Sequence, residues 1–169
     1  MRRVATWVTV AVFSLLPISA SAWDPIHELI VPNTSIGPFR LGMTAAAIQA
    51  LKKSAPCQIT AAYRDGKAVR LETNCGGAYH TPEWVQVGIG SGKILWFYGT
   101  PDNVTRSDGF NYRADWLYYR GGISFRVVYG DGATNTLIQS IAVFPGTGRL
   151  QVRQEPFPGT APAPPGVGE

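Results

Sequence analysis

Few residues of this chain combine a reactive type with the spacing a reaction needs. The stretch GIGSGK, Gly88 to Lys93, has the look of a phosphate loop. However, Val87 stands where the leading glycine belongs, and Ile94 follows Lys93 where a hydroxyl should hold magnesium. We read it as a turn. Asp24, His27 and Glu28 could form a metal or acid/base set, but HELIV lacks the second histidine that a zinc-protease helix places four residues on. Only His27 and His80 could serve as an imidazole base for a serine nucleophile, and no Gly-x-Ser-x-Gly elbow is present. Two carboxylates suffice for glycoside hydrolysis, yet the 11 acids of the chain single out no pair. The expectation is a non-enzymatic protein with no catalytic residues, no metal and no cofactor.

The two cysteines are better explained by compartment than by catalysis. The first residues, MRRVATWVTVAVFSLLPISASA, place Arg2 and Arg3 before an apolar run and end in the small-x-small pattern of a cleaved export signal, residues 1–22. Pro17 cuts the run short of the roughly 20 apolar residues that a membrane span requires. Trp23 follows the expected cut, so no cysteine stands there to take a lipid, and no membrane anchor is expected after cleavage. Oxidising compartments keep disulfides, which makes a Cys57–Cys75 bridge the natural pairing. A zinc site using Cys57, Cys75, His80 and His27 would lack the close Cys-x-x-Cys pair of structural zinc sites.

Losing Arg2 and Arg3 with the signal leaves +2 of the formal +4. The remaining basic residues are scattered, unlike the clustered Lys/Arg of a nucleic-acid binder. A protein partner is the expected ligand, and nucleic acid is not. We expect a single domain over residues 23–155, or two small halves at about 34–93 and 94–145, and a Pro/Gly-rich disordered tail over 156–169.

The elements that would position a site are readable from pattern. Between the cysteines, QITAAYRDGKAVRLETN alternates as strand, Asp-Gly turn, strand. Opposed cysteines pair Ile59 with Thr73, Ala61 with Leu71 and Tyr63 with Val69, and this register is preferred to the one that a two-residue Asp-Gly loop would impose. Thr44 is a good N-cap before Ala45, Ala46 and Ala47, with Ile48 and Leu51 facing inward and Pro56 as the stop. WVQVGI and KILWFY read as a hairpin about GSG. A meander follows: DWLYY, Gly121-Gly122, ISFRVVY and LIQSIAVF. A two-residue Gly-Gly turn pairs Tyr118 with Phe125 and Trp116 with Val127 on an apolar face assigned to the core. Leu117, Tyr119 and Arg126 fall on the other face and are the candidate binding residues, because Tyr and Arg are enriched at contact hot spots.

LGMTAAAIQALK resembles the Gly-Met-Thr helix entry of the SmpA/OmlA outer-membrane assembly lipoproteins. YGTPD, followed by WLYY, ISFRV and IAVF, is similar to the later part of that pattern and to modules of beta-lactamase inhibitory proteins. The resemblance spans about residues 35–144 and implies an α+β layer used for protein contact, one or two short helices on an antiparallel sheet. In this chain a disulfide hairpin and further strands stand between the helix and Gly99-Thr100-Pro101, and the lipid-accepting cysteine is missing. The functional expectation is a non-catalytic periplasmic or secreted protein-binding domain of the bacterial cell envelope. The alternatives are an inhibitor or immunity protein against an exported hydrolase, with Asp102 to Arg113 as the inserting loop, and a cell-wall-acting enzyme.

Overall fold

Cys57 and Cys75 are bridged, with Cα atoms 6.4 Å apart, and the hairpin they tie forms one end of a six-stranded antiparallel sheet. The computed structural model describes residues 28–106, 113–129 and 136–158. The export signal expected over residues 1–22 lies outside them. Strands β4 (Ile59–Arg64) and β5 (Lys67–Thr73) pair Ile59 with Thr73 and Ala61 with Leu71, as opposed cysteines require. Nearer the turn the register differs from the expectation. A bulge between Ala62 and Tyr63 sets Tyr63 against Ala68, not Val69, and Arg64 against Lys67. Asp65 and Gly66 therefore form the two-residue loop that the disulfide argument had excluded, with φ of 51° and 73°. Positive φ at both central residues is what a type I′ turn needs. The bridge sets the register at one end and the turn at the other, and the bulge absorbs the difference of one residue.

The segment before the hairpin is a small sheet and a capped helix. Strands β1 (Ile30–Val31), β2 (Ser35–Ile36) and β3 (Phe39–Arg40) form a three-stranded antiparallel sheet that pairs Ile30 with Ile36 and Ile36 with Phe39. Helix α1 (Ala45–Lys52) begins at Thr44, whose hydroxyl accepts from the Ala47 N–H at 3.3 Å. Ile48 is fully buried and Leu51 packs against the core, as their spacing predicts. The helix entry is clasped to β5: Gly42 N–H donates to the Ala68 carbonyl and Ala68 N–H donates to that of Met43, both at 2.8 Å.

The expected hairpin of WVQVGI and KILWFY is not formed. KILWFY lies in helix α2 (Gly92–Tyr98), and WVQVGI is an irregular stretch making single bridges, Gly76 with Val87 and His80 with Gln86. The reason is in the spacing. Ile94 and Tyr98, four residues apart, are buried on one side of the helix, while Leu95 is left exposed. A strand would have put Ile94, Trp96 and Tyr98 on one face, yet Trp96 is only half-buried. Tertiary packing here overrides the β preference of the aromatic residues.

The rest of the large sheet is the meander β6 (Asn103–Arg106), β7 (Arg113–Tyr118), β8 (Ile123–Tyr129) and β9 (Thr136–Val143). Its strand order is β4-β5-β9-β8-β7-β6, so β9 joins the disulfide hairpin to the meander in one sheet. The Gly121-Gly122 turn holds four residues where two were expected. The pairs are Tyr118 with Ile123 and Trp116 with Phe125, one pair removed from the anticipated register. The turn opens because its backbone is bonded elsewhere: Thr147 N–H donates to the Tyr119 carbonyl at 3.2 Å and Gly148 N–H to that of Arg120 at 3.0 Å. Gly122, at φ 65°, lies so close to Phe144 and Gly146 that a Cβ would collide with their backbone. The slip is two residues in total, so each side chain keeps its expected face.

One face of the sheet carries the core. Ile59, Thr73, Ile141, Phe125 and Trp116 form one transverse row, and Ala61, Leu71, Val143, Ile123 and Tyr118 form the next. Ile30, Ile36 and Phe39 of the small sheet, Ile48 of α1 and Ile94 and Tyr98 of α2 pack against them. The chain then returns along α2: Leu150 and Val152 join the core, Arg153 N–H donates to the Phe97 carbonyl, and Trp96 Nε1 donates to that of Glu155. Phe157 meets the Trp96 ring edge-on, so ordered contacts extend past Pro156, where the tail was expected to begin. Residues 159–169 lie outside the described residues.

Two core phenols make the fold sensitive to alkali. Burial, then the nearby Glu83 carboxylate, pushes the Tyr98 phenol far above its ordinary value of 10.0. Burial, then Asp102, pushes Tyr118 the same way. A raised folded-state pKa means that the unfolded chain loses its proton first, so this stabilisation is complete below about pH 10 and is lost as the pH rises towards the folded-state values. The urea midpoint should hold steady up to pH 10 and fall above it, and Tyr98→Phe should flatten the fall. An equally steep fall in the variant would remove Tyr98 as its source.

Candidate protein-contact face

Strand alternation sends every second side chain of β5, β9, β8 and β7 away from the core. Both helices and the small sheet place their buried side chains on the opposite face, so among the described elements none packs on this one. Its centre is an ion-paired network. Arg126 on β8 faces Asp115 on β7 and Ser140 on β9. Arg126 Nε donates to Asp115 Oδ1 at 2.8 Å and Nη2 to Oδ2 at 3.2 Å. Nη1 lies 3.6 Å from Glu72 Oε1 on β5. Glu72 also accepts from the Ser140 hydroxyl at 2.7 Å and from Arg70 Nη2 at 3.3 Å. The guanidinium thus cross-links three strands, and Ser140 ties the fourth to them through Glu72.

Small residues make the network possible. Ser124, Ser140 and Ala142 are buried beneath it, leaving room for the longer side chains to lie across the sheet. Hydrogen bonding to Asp115 is the main cause that pushes the Arg126 guanidinium above its ordinary value, and the Asp115 and Glu72 charges add to it. The forked geometry suits a guanidinium better than an ammonium. The Arg126 side chain is 35% exposed, so this pairing is screened and its main effect is to fix the side chain.

The three predicted contact residues share this side of the sheet in different settings. Leu117 is half-buried between Ser124 and Asn103 on the neighbouring strands, one pair along from Arg126 and Asp115. Tyr119 lies just past the end of β7, 45% exposed, with its ring 6.4 Å from that of Phe144. Phe144 in turn lies 6.0 Å from the Arg70 guanidinium. Leu117 and Tyr119 are therefore apolar and aromatic neighbours of a rigid charged centre, while the donors of Arg126 are largely engaged. Glu72, Asp115 and Phe144 belong to the same surface and were missed from sequence. Only the strand order brings Glu72 to Arg126.

The segment expected as an inserting loop, Asp102 to Arg113, is partly a strand. Asp102 Oδ2 accepts from the Arg120 N–H at 3.2 Å, and Asn103–Arg106 pair with β7 as an exposed edge. Residues 107–112 lie outside the described residues. Among the described residues no group of three or more His, Cys, Asp or Glu could hold a metal, and no helix is long and apolar enough to cross a membrane. The chain matches no protein-family model, no curated protein and no solved structure.

Proposed function

We propose that this protein is a non-catalytic, extracytoplasmic binding domain that makes protein contact in the cell envelope through the outer face of its large sheet. The observation that carries this reading is the fixed Arg126–Asp115–Glu72 network flanked by Leu117, Tyr119 and Phe144 on a face without a packing layer among the described elements. A pre-positioned charged centre with aromatic neighbours lowers the ordering cost of association. The disulfide and the export signal in the sequence support an oxidising compartment, and the likeness to SmpA/OmlA lipoproteins supports an envelope role.

An inhibitor of an exported hydrolase is the second reading. It is favoured by β6, whose four exposed residues and Asp102 anchor make a firm stem for residues 107–112. Affinity capture from an envelope extract separates the two, since one dominant hydrolase would select inhibition. The double variant Tyr119→Ala, Arg126→Ala is expected to weaken capture about tenfold or more, as loss of an aromatic or arginine anchor does, with a native circular dichroism spectrum. Undiminished capture would remove this face as the contact site.

A further inference from the structure

On the other side of the molecule, the turn after His80 displays a tryptophan in a costly conformation. Trp84 has φ 58°, in the left-handed region, and is 63% exposed. Glycine or asparagine would hold this position with less strain. The turn beneath is firm: Trp84 N–H donates to the Thr81 carbonyl at 2.9 Å, and Val85 N–H donates to the Thr81 hydroxyl at 3.2 Å. Thr81 and Val85 are fully buried. The His80 ring stacks on the indole at 3.9 Å and 7°. Its Nδ1 lies 2.8 Å from the Thr81 carbonyl, which can only accept, so that nitrogen carries the proton and the ring is held in place. One indole face is thus backed by the imidazole.

That indole borders an open cleft of about 460 Å³, shared with Glu83, Lys93, Phe97, Pro156 and Phe157. Its polar groups are few and held. Glu83 Oε2 accepts from the buried Tyr98 hydroxyl at 2.6 Å, and the Lys93 ammonium sits 5.8 Å from the centre of the Phe157 ring. No salt bridge among the described residues engages either charge. A mainly aromatic cleft with one fixed acceptor and one fixed donor is the usual form of a small-ligand site.

We propose that this cleft binds a neutral pyranose oligosaccharide. Hydroxyl groups both donate and accept, so a sugar can satisfy Glu83 and Lys93 together, while the apolar C–H face of its ring lies on the indole. A phosphate would meet the Glu83 carboxylate and a polycation would meet Lys93, so the balanced charge selects against both. A proline-rich peptide presents carbonyl acceptors without N–H donors at its prolines, which leaves Glu83 unmatched. The site is separate from the sheet face proposed for protein contact and does not depend on it.

The test is calorimetric titration of the full exported chain with the N-acetylglucosamine tetramer and with cellotetraose. Saturable binding of either is expected. Trp84→Gly removes the ring and relieves the backbone, so it should weaken binding about tenfold or more without lowering the melting temperature. Glu83→Gln, which leaves the aromatic wall intact, should also weaken binding. Failure of both sugars to bind would overturn the proposal, as would unchanged affinity in Trp84→Gly. Titration by an Ala-Pro-Ala-Pro-Pro peptide in place of the sugars would overturn it in favour of peptide recognition.

Discussion

Phe125→Ala is expected to lower the unfolding free energy by about 3–5 kcal/mol, the range for emptying a closed aromatic site in a core. Phe125 is fully buried on β8. Its ring stacks on Tyr98 at 5.5 Å and 22°, and meets Tyr118 edge-on at 6.0 Å and 84°. Trp116 and Ile141 face it from the strands on either side. These neighbours belong to two strands and a helix, so none can collapse into the gap without moving an element. Tyr98 also holds Glu83, which means the loosened core should reach the turn that carries Trp84. Urea unfolding followed by circular dichroism measures the loss. A change below about 1 kcal/mol would show that the core repacks freely and that the ring cluster does not set stability.

Replacing both cysteines with serine is expected to cost about 3 kcal/mol, the chain-entropy value for a closed loop of this length. The bridge links positions 18 residues apart, and the hairpin it closes is an end of the sheet: β4 pairs with β5 alone. Ile59 on β4 is buried with the core, so fraying of this edge would expose apolar surface. The type I′ turn at Asp65 and Gly66 should preserve the pairing near the loop while the end toward Ile59 and Thr73 loosens. Hydrogen exchange resolved along β4 would show that gradient. Uniform protection along β4 in the serine variant would mean that the bridge is dispensable for the register.

The strands of the meander were legible because Phe125 and Val127 alternate with Ser124 and Arg126 across a Gly-Gly turn from an aromatic run, and alternation survives a register error of two residues. The helix of KILWFY was not, because a short apolar run has no polar positions to show its period. The misjudged turns have different causes: the Gly121-Gly122 loop was decided by distant chain, Thr147 and Gly148, and the Asp65-Gly66 register by a bulge within the hairpin that lets turn and bridge coexist. The candidate contact face was half visible. Leu117, Tyr119 and Arg126 follow from parity within one hairpin, whereas Glu72 reaches Arg126 only because β9 lies between their strands. Nothing local distinguishes Trp84 from a core aromatic, since its exposure comes from a backbone angle that sequence does not reveal.

The position of β9 also governs when this protein can form. It is a central strand of the sheet and the last strand among the described residues, inserted between β5 and β8. Until it is synthesised, both neighbours present unpaired edges with Leu71, Phe125 and Val127 exposed beside them. The nascent chain therefore cannot reach its final state piece by piece from the N-terminus. Assembly waits for the C-terminal third, which makes premature termination an aggregation hazard.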